Sequence, residues 1–447
     1  MKRTLTQRSA GTPLGRLTRR LSSHTAHLGV IGLGYVGLPL AVEFANAGFP
    51  VTGIDLDPAR VASVNQGRSY VPDVPAKDLA PLIRRKRLVA TSSYDGLSGL
   101  DAVIICVPTP LRKTREPDIS FILAAAKEIS RSLRRGQLIV LESTTYPGTT
   151  DEVILPMLQA GGLRVGKDFG LAFSPERIDP GNQRYTTRTI PKVVGGITPA
   201  CQRLAITLYQ QIMEHVVPVS STKVGEMVKL LENTFRAVNI GLVNEIALMC
   251  DKLGVDVWEV IEAAKTKPFG FLAFYPGPGI GGHCIPHDPM YLAWKARLHG
   301  AEARFIELAD QTNRAMPQYV VEKVARALND RRKPLNGSRI LLIGLAYKRD
   351  VNDTRDSPAF EIAQALQDRG AVVSYHDPYV ASADLNGAPS TSVPLSAARL
   401  KRQDAVVILT NHSTVDYALI LRHAPLIVDT RNQFSRLARP TPRVVKL

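Results

Sequence analysis

The residue best suited to chemistry in this sequence is Cys284, in the segment GIGGHCIPHDP that runs from Gly279 to Pro289. The preceding glycines leave backbone N–H groups accessible and make room for a bulky ligand, which a structural cysteine in a core would not need. Asp288 follows four residues later. A thiol among such donors, near a cationic group, loses its proton readily and becomes a nucleophile. We therefore predict that Cys284 is catalytic.

A second polar pair, Lys229 and Asn233, lies in the stretch TKVGEMVKLLENTFRAVNIGLVNEIALMCDKLG that begins at Thr222. The stretch is apolar nearly all the way round a helix, which indicates a central, buried helix. Residues four apart are neighbours on one helix face, and Glu226 precedes them by one turn. A buried lysine and asparagine are costly unless they are satisfied, so a polar cavity is expected beside them. The alternative is a lysine whose stem packs while its ammonium reaches water.

The segment HLGVIGLGYVGLPLAVEFANAGFPVTGIDLD contains the pattern G-x-G-x-x-G at Gly32, Gly34 and Gly37. An apolar strand precedes the glycines, a helix follows them, and Asp55 ends a second strand. This context predicts a dinucleotide site, with the pyrophosphate at the helix N-terminus and Asp55 on the adenosine ribose. An acid at that position favours NAD over NADP, although Arg60 nearby could weaken the preference.

Further strand-like runs, DAVIICVPTP and GQLIVLESTTYPGTT, are separated by the helical pattern FILAAAKEISRSL. This alternation predicts a parallel α/β sheet. Ligands bind such sheets where the strands end, so Thr109, Glu142 and Thr144 are candidates for the site. Cys106 lies inside an apolar strand, and core packing is its expected role.

The formal charge of +16 is concentrated in part at the N-terminus. Residues 1–26 carry six basic and no acidic side chains, which indicates a flexible basic extension with room for a short helix around LGRLTRRL. The extension lacks the apolar core of a secretory signal, and a transit peptide remains an alternative. The other basic runs are short and without interleaved aromatic residues, so we expect solvated surfaces and no nucleic-acid partner. No apolar run is long enough to insert in a membrane.

The four cysteines show neither a C-x-x-C pair nor spacing typical of disulfides. This pattern predicts a reducing cytoplasm and no metal site.

At 447 residues the chain is too long for one typical core. The patterns predict an α/β fold with an NAD-binding Rossmann-like domain at 27–215, a central helical domain at 216–328 with the long buried helix, and a C-terminal Rossmann-like α/β domain at 329–447.

From about His27 to Asn432 the sequence resembles the UDP-glucose/GDP-mannose dehydrogenase family. The resemblance is carried by motifs in a fixed order: GLGYVGLP, VPTP, ESTTYPGTT, SPERIDPGN, EMVKLLENTFRAVNIGLVNE, GIGGHCIPHDP and GLAYKRDVNDTRDSP. Their forms are most similar to the branch that oxidises UDP-N-acetylhexosamines, particularly UDP-N-acetylglucosamine 6-dehydrogenases. The resemblance implies oxidation of a sugar C6 hydroxyl to the uronate with two NAD and one water, through a thiohemiacetal and a thioester on Cys284.

Together with the motifs above, the resemblance distributes roles over the chain. Catalytic roles fall on Cys284, Lys229, Asn233, Asp288, Glu176 and Thr144. Cofactor contacts fall on Gly32, Gly34, Tyr35, Val36, Gly37, Asp55, Arg60, Thr109, Glu142 and Arg355. Substrate contacts fall on Lys229, Asn233, Phe274, Gly281 and Lys348. The resemblance also implies a UDP-sugar substrate and a homodimer or higher homo-oligomer, with the long helix as its seam.

Three departures separate this sequence from the hexose-oxidising branch. Pro180 occupies the place of a second glutamate, His283 precedes the cysteine where that branch has serine, and the loop FLAFYPGPGIGG before the cysteine is longer than in that branch. UDP-glucose and the other N-acetylhexosamine nucleotides remain alternative substrates. A two-electron dehydrogenase of the β-hydroxyacid class, which uses no thiol, is a rival, and a non-catalytic nucleotide-sugar or nucleic-acid binder is another.

Overall fold

A computed structural model describes residues 11–177, 185–435 and 441–447 of the chain. They form two compact units, the first within Met1–Glu232 and Met290–Ala301 and the second within Asn233–Pro289 and Glu302–Leu447. Two helices, α8 (Thr222–Leu253) and α10 (Cys284–Leu298), each pass from one unit into the other. The division into three domains at the predicted boundaries stays a prediction.

The first unit is built on a sheet of eight strands in the order β3-β2-β1-β4-β5-β6-β7-β8. The strands are β1 (Leu28–Ile31), β2 (Val51–Ile54), β3 (Leu88–Thr91), β4 (Ala102–Ile105), β5 (Leu138–Leu141), β6 (Gly170–Phe173), β7 (Lys192–Gly196) and β8 (Val216–Val219). Neighbours are parallel except β6 and β7, which pair antiparallel. Strand order reverses between β1 and β4, which is where such sheets bind ligands.

Helices cover both faces of this sheet. They are α1 (Pro13–Ser22), α2 (Gly37–Asn46), α3 (Pro58–Asn65), α4 (Ala76–Arg84), α5 (Ser120–Ser132), α6 (Leu155–Gln159) and α7 (Pro199–Tyr209). A turn of 3₁₀-helix spans Asp95–Gly99 and a π-helical turn spans Thr149–Ile154. Because successive strand residues point to opposite faces, Val30 joins one core cluster and Ile31 joins the other. The strands are therefore buried on both sides, as parallel strands are.

The second unit is built in the same way on a smaller parallel sheet, with strand order β10-β9-β13-β14-β15. Its strands are β9 (Arg339–Ile343), β10 (Val372–His376), β13 (Ala405–Ile408), β14 (Ile427–Asp429) and β15 (Val444–Lys446), and β11 (Ser382–Leu385) and β12 (Ala388–Thr391) form a separate hairpin. Its remaining helices are α9 (Val257–Ala264), α11 (Arg304–Asn329), α12 (Pro358–Asp368), α13 (Ala397–Lys401) and α14 (Tyr417–His423). Leu341 and Leu342 again enter two different cores.

The helix α8 is not buried on all sides, so that prediction is wrong for the chain by itself. Leu231, Phe235, Leu242 and Met249 are exposed along it, with 58% of Leu231 accessible to solvent. The helix is apolar nearly all round, but one face has no packing partner among the described residues. None of the described helices combines the length and apolar character needed to cross a membrane.

In the basic N-terminal segment the short helix predicted around LGRLTRRL is confirmed, but the segment is packed against the core, which differs from the prediction of a flexible extension. From Pro13 to Ser22 it is helix α1, started by the Thr12 side chain, which accepts a hydrogen bond from the Gly15 N–H. Leu14, Leu17 and Leu21, at spacings of three and four, are buried in the core on which α2 and α7 also pack. The part of the extension before Gly11 lies outside the described residues.

We expect Leu17→Ala to lower the free energy of unfolding by about 2–5 kcal/mol, because it removes a buried leucine and leaves a cavity. Arg19→Ala, on the exposed side of the same helix, is the matched control and should change it by less than about 0.5 kcal/mol. Urea unfolding at neutral pH measures both. Equal, negligible effects would mean that α1 is not docked in solution.

Candidate active site

The glycine-rich turn after β1 requires glycine for a different reason at each position. Gly32 has φ +91°, and a Cβ there would lie 2.5 Å from the carbonyl oxygen of Cys106. A Cβ on Gly37 would lie 1.8 Å from the carbonyl oxygen of Gly32, so helix α2 can approach the strand only without it. A Cβ on Gly34 would meet no atom within 4 Å. The first and third glycines thus shape the turn, and the second leaves its backbone open to a ligand.

The start of α2 is suited to an anion. Val36, which precedes the helix, makes no side-chain capping bond, and Tyr35 and Val36 are half-buried in the turn. Uncapped N–H groups and the positive end of the helix dipole favour phosphate at such a terminus. The open space at Gly34 lies in the same turn. These features fit the pyrophosphate of NAD.

Asp55, at the end of β2, is buried and held by backbone. Its Oδ2 accepts from the Leu33 N–H at 2.8 Å, and its Oδ1 accepts from the Asp57 N–H at 3.0 Å. The Arg60 guanidinium lies 3.5 Å from Oδ2 and 5.8 Å from the centre of the Tyr70 ring. Burial, and then Asp55, raise the pKa of Tyr70 to about 12, so its hydroxyl stays a donor to the Leu33 carbonyl. The acid predicted to bind ribose is therefore held rigidly, with Arg60 beside it.

The three candidates at the strand ends differ in their surroundings. Thr144 is half-buried, and Thr109 is buried with its carbonyl accepting from the Tyr291 hydroxyl at 2.5 Å. Glu142 is fully buried, and both of its oxygens are used: Lys192 Nζ donates to Oε2 at 2.9 Å and the Tyr209 hydroxyl donates to Oε1. The Glu142 carboxylate is thus already engaged by an ammonium and a phenol, and its predicted contact with the cofactor stays a prediction.

Lys192 is the centre of this buried group. Burial lowers the pKa of its ammonium, but Glu142 and Glu176 outweigh burial and raise it overall. The ammonium lies 5.1 Å from the centre of the Tyr209 ring and donates a further hydrogen bond to the Pro175 carbonyl at 3.2 Å. Burial, and then Glu142, raise the pKa of the Cys106 thiol well above its ordinary value, so Cys106 stays a packing residue.

Residues 174–177, which include Glu176, are held by hydrogen bonds at successive positions. Lys192 holds the carbonyl of Pro175, and Lys229 Nζ donates to the carbonyl of Glu176. Arg177 reaches the carbonyl of Pro191 at 2.6 Å. Lys229 is only 7% exposed, which contradicts the alternative of an ammonium reaching water and agrees with a buried, satisfied lysine. Pro180, which marks the departure from the hexose branch, lies outside the described residues.

One turn before Lys229, the Glu226 carboxyl group is fully buried. It accepts from the Gly148 N–H at 2.6 Å, the Thr150 N–H at 2.9 Å and the Thr150 hydroxyl at 2.7 Å. Burial outweighs these bonds and raises the pKa of Glu226 to about 7. The group fastens α8 to the loop that follows Thr144.

In the second unit, the Asn233 side-chain amide donates to Asp288 Oδ2 at 2.6 Å, and both residues are buried. Cys284 is the first residue of α10 and is exposed, whereas Cys106, Cys201 and Cys250 are buried. A helix N-terminus favours an anion such as a thiolate.

Two of the glycines before Cys284 pack closely within the protein, a role that the sequence analysis did not predict. A Cβ on Gly281 would lie 2.6 Å from Tyr347 Cβ, and one on Gly282 would lie 2.7 Å from the Tyr347 ring. The Gly282 N–H donates to the Arg355 carbonyl at 2.9 Å. The glycine segment is thus laid against the segment 347–358, which fixes where α10 begins.

The other residues predicted to bind ligands lie on or near these surfaces. The Arg355 guanidinium pairs with Asp353 at 2.6 Å and stays 46% exposed. Lys348 is half-buried. The Phe274 ring packs edge-on against Phe235 at 5.7 Å. No group of three metal-ligating side chains is found in the described ranges.

The sequence analysis missed two groups next to the predicted site. One is Lys192 with Tyr209, which lie 50 and 67 residues from Glu142 and give no local pattern. The other is His287 with Asp356, whose Nε2 and Oδ2 atoms are 3.2 Å apart. The spacing of His283 and His287 around the cysteine was a visible signal for the second group.

We expect Lys192→Met to lower the free energy of unfolding by about 3–5 kcal/mol at pH 7, because it leaves Glu142 as a buried charge without its partner. The double variant Lys192→Met with Glu142→Gln should recover a large part of the loss. Arg131→Met, which breaks an exposed ion pair with Glu128, is the control and should cost less than about 1 kcal/mol. A double variant no more stable than the single one would contradict the pairing.

Glu226→Gln tests the raised pKa of that group. In the folded protein Glu226 holds its proton up to pH about 7, whereas an unfolded glutamate loses it near its ordinary value. The stability that Glu226 contributes is therefore present at low pH and lost as pH rises toward 7. The amide nitrogen of Glu226→Gln cannot accept from the Gly148 or Thr150 N–H, which adds a cost that does not vary with pH. The stability of the variant relative to the wild type should nevertheless rise by roughly 3 kcal/mol as the pH increases from about 4.5 to 7. Urea unfolding across that range measures it, and a loss over the same range would contradict the assignment.

Comparisons with known proteins agree with the resemblance. The UDP-glucose/GDP-mannose dehydrogenase family models match as an NAD binding domain over residues 26–213, a central domain over 223–315 and a UDP binding domain over 341–436. A UDP-N-acetyl-D-glucosamine 6-dehydrogenase of Pseudomonas aeruginosa is 38% identical over 79% of this chain and 83% of its own. An NDP-N-acetyl-D-galactosaminuronic acid dehydrogenase of Ralstonia nicotianae is 35% identical over 91% and 96%.

Among solved structures, a UDP-D-ManNAc dehydrogenase from Pyrococcus horikoshii superposes with a TM-score of 0.85 at 32% identity, covering 94% of this chain and 98% of its own. These findings confirm the predicted fold: a Rossmann-like NAD-binding domain, a central helical domain with a long helix, and a C-terminal UDP-binding α/β domain. NAD is the cofactor of that N-terminal domain. The chain belongs to the UDP-glucose/GDP-mannose dehydrogenase family and is an NAD-dependent nucleotide-sugar dehydrogenase.

Proposed function

We propose that this chain oxidises the C6 hydroxyl of a UDP-N-acetylhexosamine to the carboxylate, with UDP-N-acetylglucosamine as the first candidate. The observation that carries the proposal is the exposed Cys284 at the first residue of α10, while the other three cysteines are buried. A dehydrogenase that stops at the aldehyde has no use for such a thiol. The named relatives act on glucosamine, mannosamine and galactosamine derivatives, which supports an N-acetylhexosamine and leaves the epimer to experiment.

The coenzyme would be held by the Gly32–Gly37 turn and Asp55, and bound NAD supplies the hydride acceptor. Asp288, oriented by Asn233, takes the C6 hydroxyl proton through a water. The Cys284 sulfur adds to the resulting aldehyde carbon and forms a thiohemiacetal. Covalent capture keeps the aldehyde from hydrating and escaping, and loss of a second hydride leaves a thioester.

Hydrolysis of the thioester releases the uronate and regenerates the thiol. Lys229 and Asn233 supply hydrogen-bond donors for the oxyanions that form on the way. Glu176 acts as base and Thr144 positions the water, roles supported by the tethering of the Glu176 segment. Overall, one primary alcohol, two NAD and one water give one carboxylate, two NADH and three protons.

We also propose that the active form is a homodimer or a larger homo-oligomer joined through α8. Phe235, Leu242 and Met249 are exposed on that helix at intervals of seven residues, which suits contact between two helices. A cytoplasmic location is supported by the cysteines, none of which is in a disulfide.

NADH release with UDP-glucose, UDP-GlcNAc, UDP-GalNAc, UDP-ManNAc and GDP-mannose, followed by mass spectrometry of the sugar product, tests the assignment. We expect two NADH per sugar, a product in which one oxygen replaces two hydrogens, and the highest kcat/KM for UDP-GlcNAc. Preference for another hexosamine would revise the epimer, and preference for UDP-glucose would move the enzyme to the hexose branch. An absence of turnover with every substrate would refute the proposal.

Cys284→Ser separates the four-electron reaction from the two-electron rival. We expect uronate formation to fall by at least about a thousandfold, because the thioester cannot form. Cys201→Ser, which changes a buried cysteine in α7, is the control and should retain turnover. Normal turnover of Cys284→Ser with one NADH per sugar would favour the β-hydroxyacid type of mechanism.

A further inference from the structure

A histidine–aspartate pair lies beside the nucleophilic cysteine within the second unit. His287 Nε2 lies 3.2 Å from Asp356 Oδ2, and His287 lowers the pKa of the Asp356 carboxyl. This contact places the Nε2 proton toward the carboxylate, which leaves the lone pair of the neutral ring on Nδ1. The Nδ1 atom is buried and has no hydrogen-bond partner among the described residues. A buried nitrogen without a partner needs an explanation in a native structure.

The position of the ring on α10 supplies that explanation. Cys284 and His287 are three residues apart in the first turn of the helix, so they are neighbours on its surface. At 3.6 residues per turn, Cys284 lies between His287, about 60° to one side, and Asp288, about 40° to the other. A nucleophile, a base and an acid that orients the base are the parts of an activated cysteine.

We propose that His287, oriented by Asp356, is the base that accepts the proton of the Cys284 thiol. The S–H bond breaks, its electron pair stays on sulfur, and the proton moves to His287 Nδ1, directly or through one water. The Asp356 carboxylate stabilises the imidazolium that results. No redox partner is needed for this step. The inference extends the proposed function, because it concerns the same sulfur atom.

The neighbouring histidine is unsuited to this task. Burial, followed by His287 and Arg355, lowers the pKa of His283 to about 4, so it stays neutral at physiological pH. Its ring packs edge-on against His287 with centroids 4.8 Å apart. The chain thus offers a matched comparison of two imidazoles that flank one thiol. The other titratable or charged groups on α10 are Asp288, Tyr291, Lys295 and Arg297. Those on the segment 347–358 are Tyr347, Lys348, Arg349, Asp350, Asp353, Arg355 and Asp356.

Alkylation of Cys284 by iodoacetamide, followed by mass spectrometry of the peptide that contains it, measures thiolate formation between pH 6 and 9.5. The measurement uses the full-length protein without NAD or nucleotide sugar. The variants are His287→Gln, Asp356→Asn and the comparison His283→Gln. Asn tolerates the positive φ of +47° at position 356, which makes Asp356→Asn a second test should His287→Gln fold poorly. Alkylation of buried Cys106, Cys201 and Cys250 reports unfolding in the same sample.

We expect His287→Gln to slow alkylation at pH 7 by about tenfold or more, since an unassisted thiol is only a few per cent ionised there. The difference should shrink toward pH 9.5, where thiols ionise without help. Asp356→Asn should act in the same direction by a smaller factor, and His283→Gln should stay within about twofold of the wild type.

Rates for folded His287→Gln and Asp356→Asn that match the wild type within about twofold at every pH would overturn the proposal. So would an equal loss in His283→Gln, because it would show that the effect is not specific to the imidazole that is paired with Asp356. Since neither coenzyme nor sugar is present, either result leaves the NADH assays of the proposed function to stand or fall separately.

Discussion

An ammonium group removed from water is tolerated only where the protein supplies acceptors for it, and the first unit depends on two such groups. Lys192 and Lys229 are both buried, and they donate to the consecutive carbonyls of Pro175 and Glu176. A buried charge left without its partner costs about 3–5 kcal/mol, a large part of the stability of an ordinary domain. The same contacts that satisfy the lysines therefore fix the backbone that presents Glu176.

In the second unit, polar side chains are likewise held by hydrogen-bond partners, here around an exposed thiol. Asn233 holds Asp288 and Asp356 holds His287, and these two acceptors flank Cys284 on the first turn of α10. Gly281 and Gly282 let that turn lie against Tyr347. Cys106, Cys201 and Cys250 are buried, whereas Cys284 is exposed and can react with a substrate.

Short-range sequence patterns predicted the features that depend only on residues close together in the chain. The glycines after β1, the acid at the end of β2, and the alternation of strands and helices each follow from short-range spacing. The pairing of Glu142 with Lys192 and Tyr209 was not predicted, because these partners lie far away in sequence and only the fold brings them together. In the N-terminal segment the short helix was predicted but its packing was not, although Leu14, Leu17 and Leu21 have the spacing of a packed helix face.

The central claim is that a carbonyl carbon of the sugar becomes bonded to the Cys284 sulfur during turnover. Rapid acid quenching of the enzyme with NAD and UDP-N-acetylglucosamine, followed by mass spectrometry of the intact protein and its peptides, tests this most directly. The account predicts a transient uronyl adduct confined to the peptide that contains Cys284, appearing before free uronate. Uronate formed at full rate with no adduct at any quench time, or with the adduct on a different peptide, would contradict it.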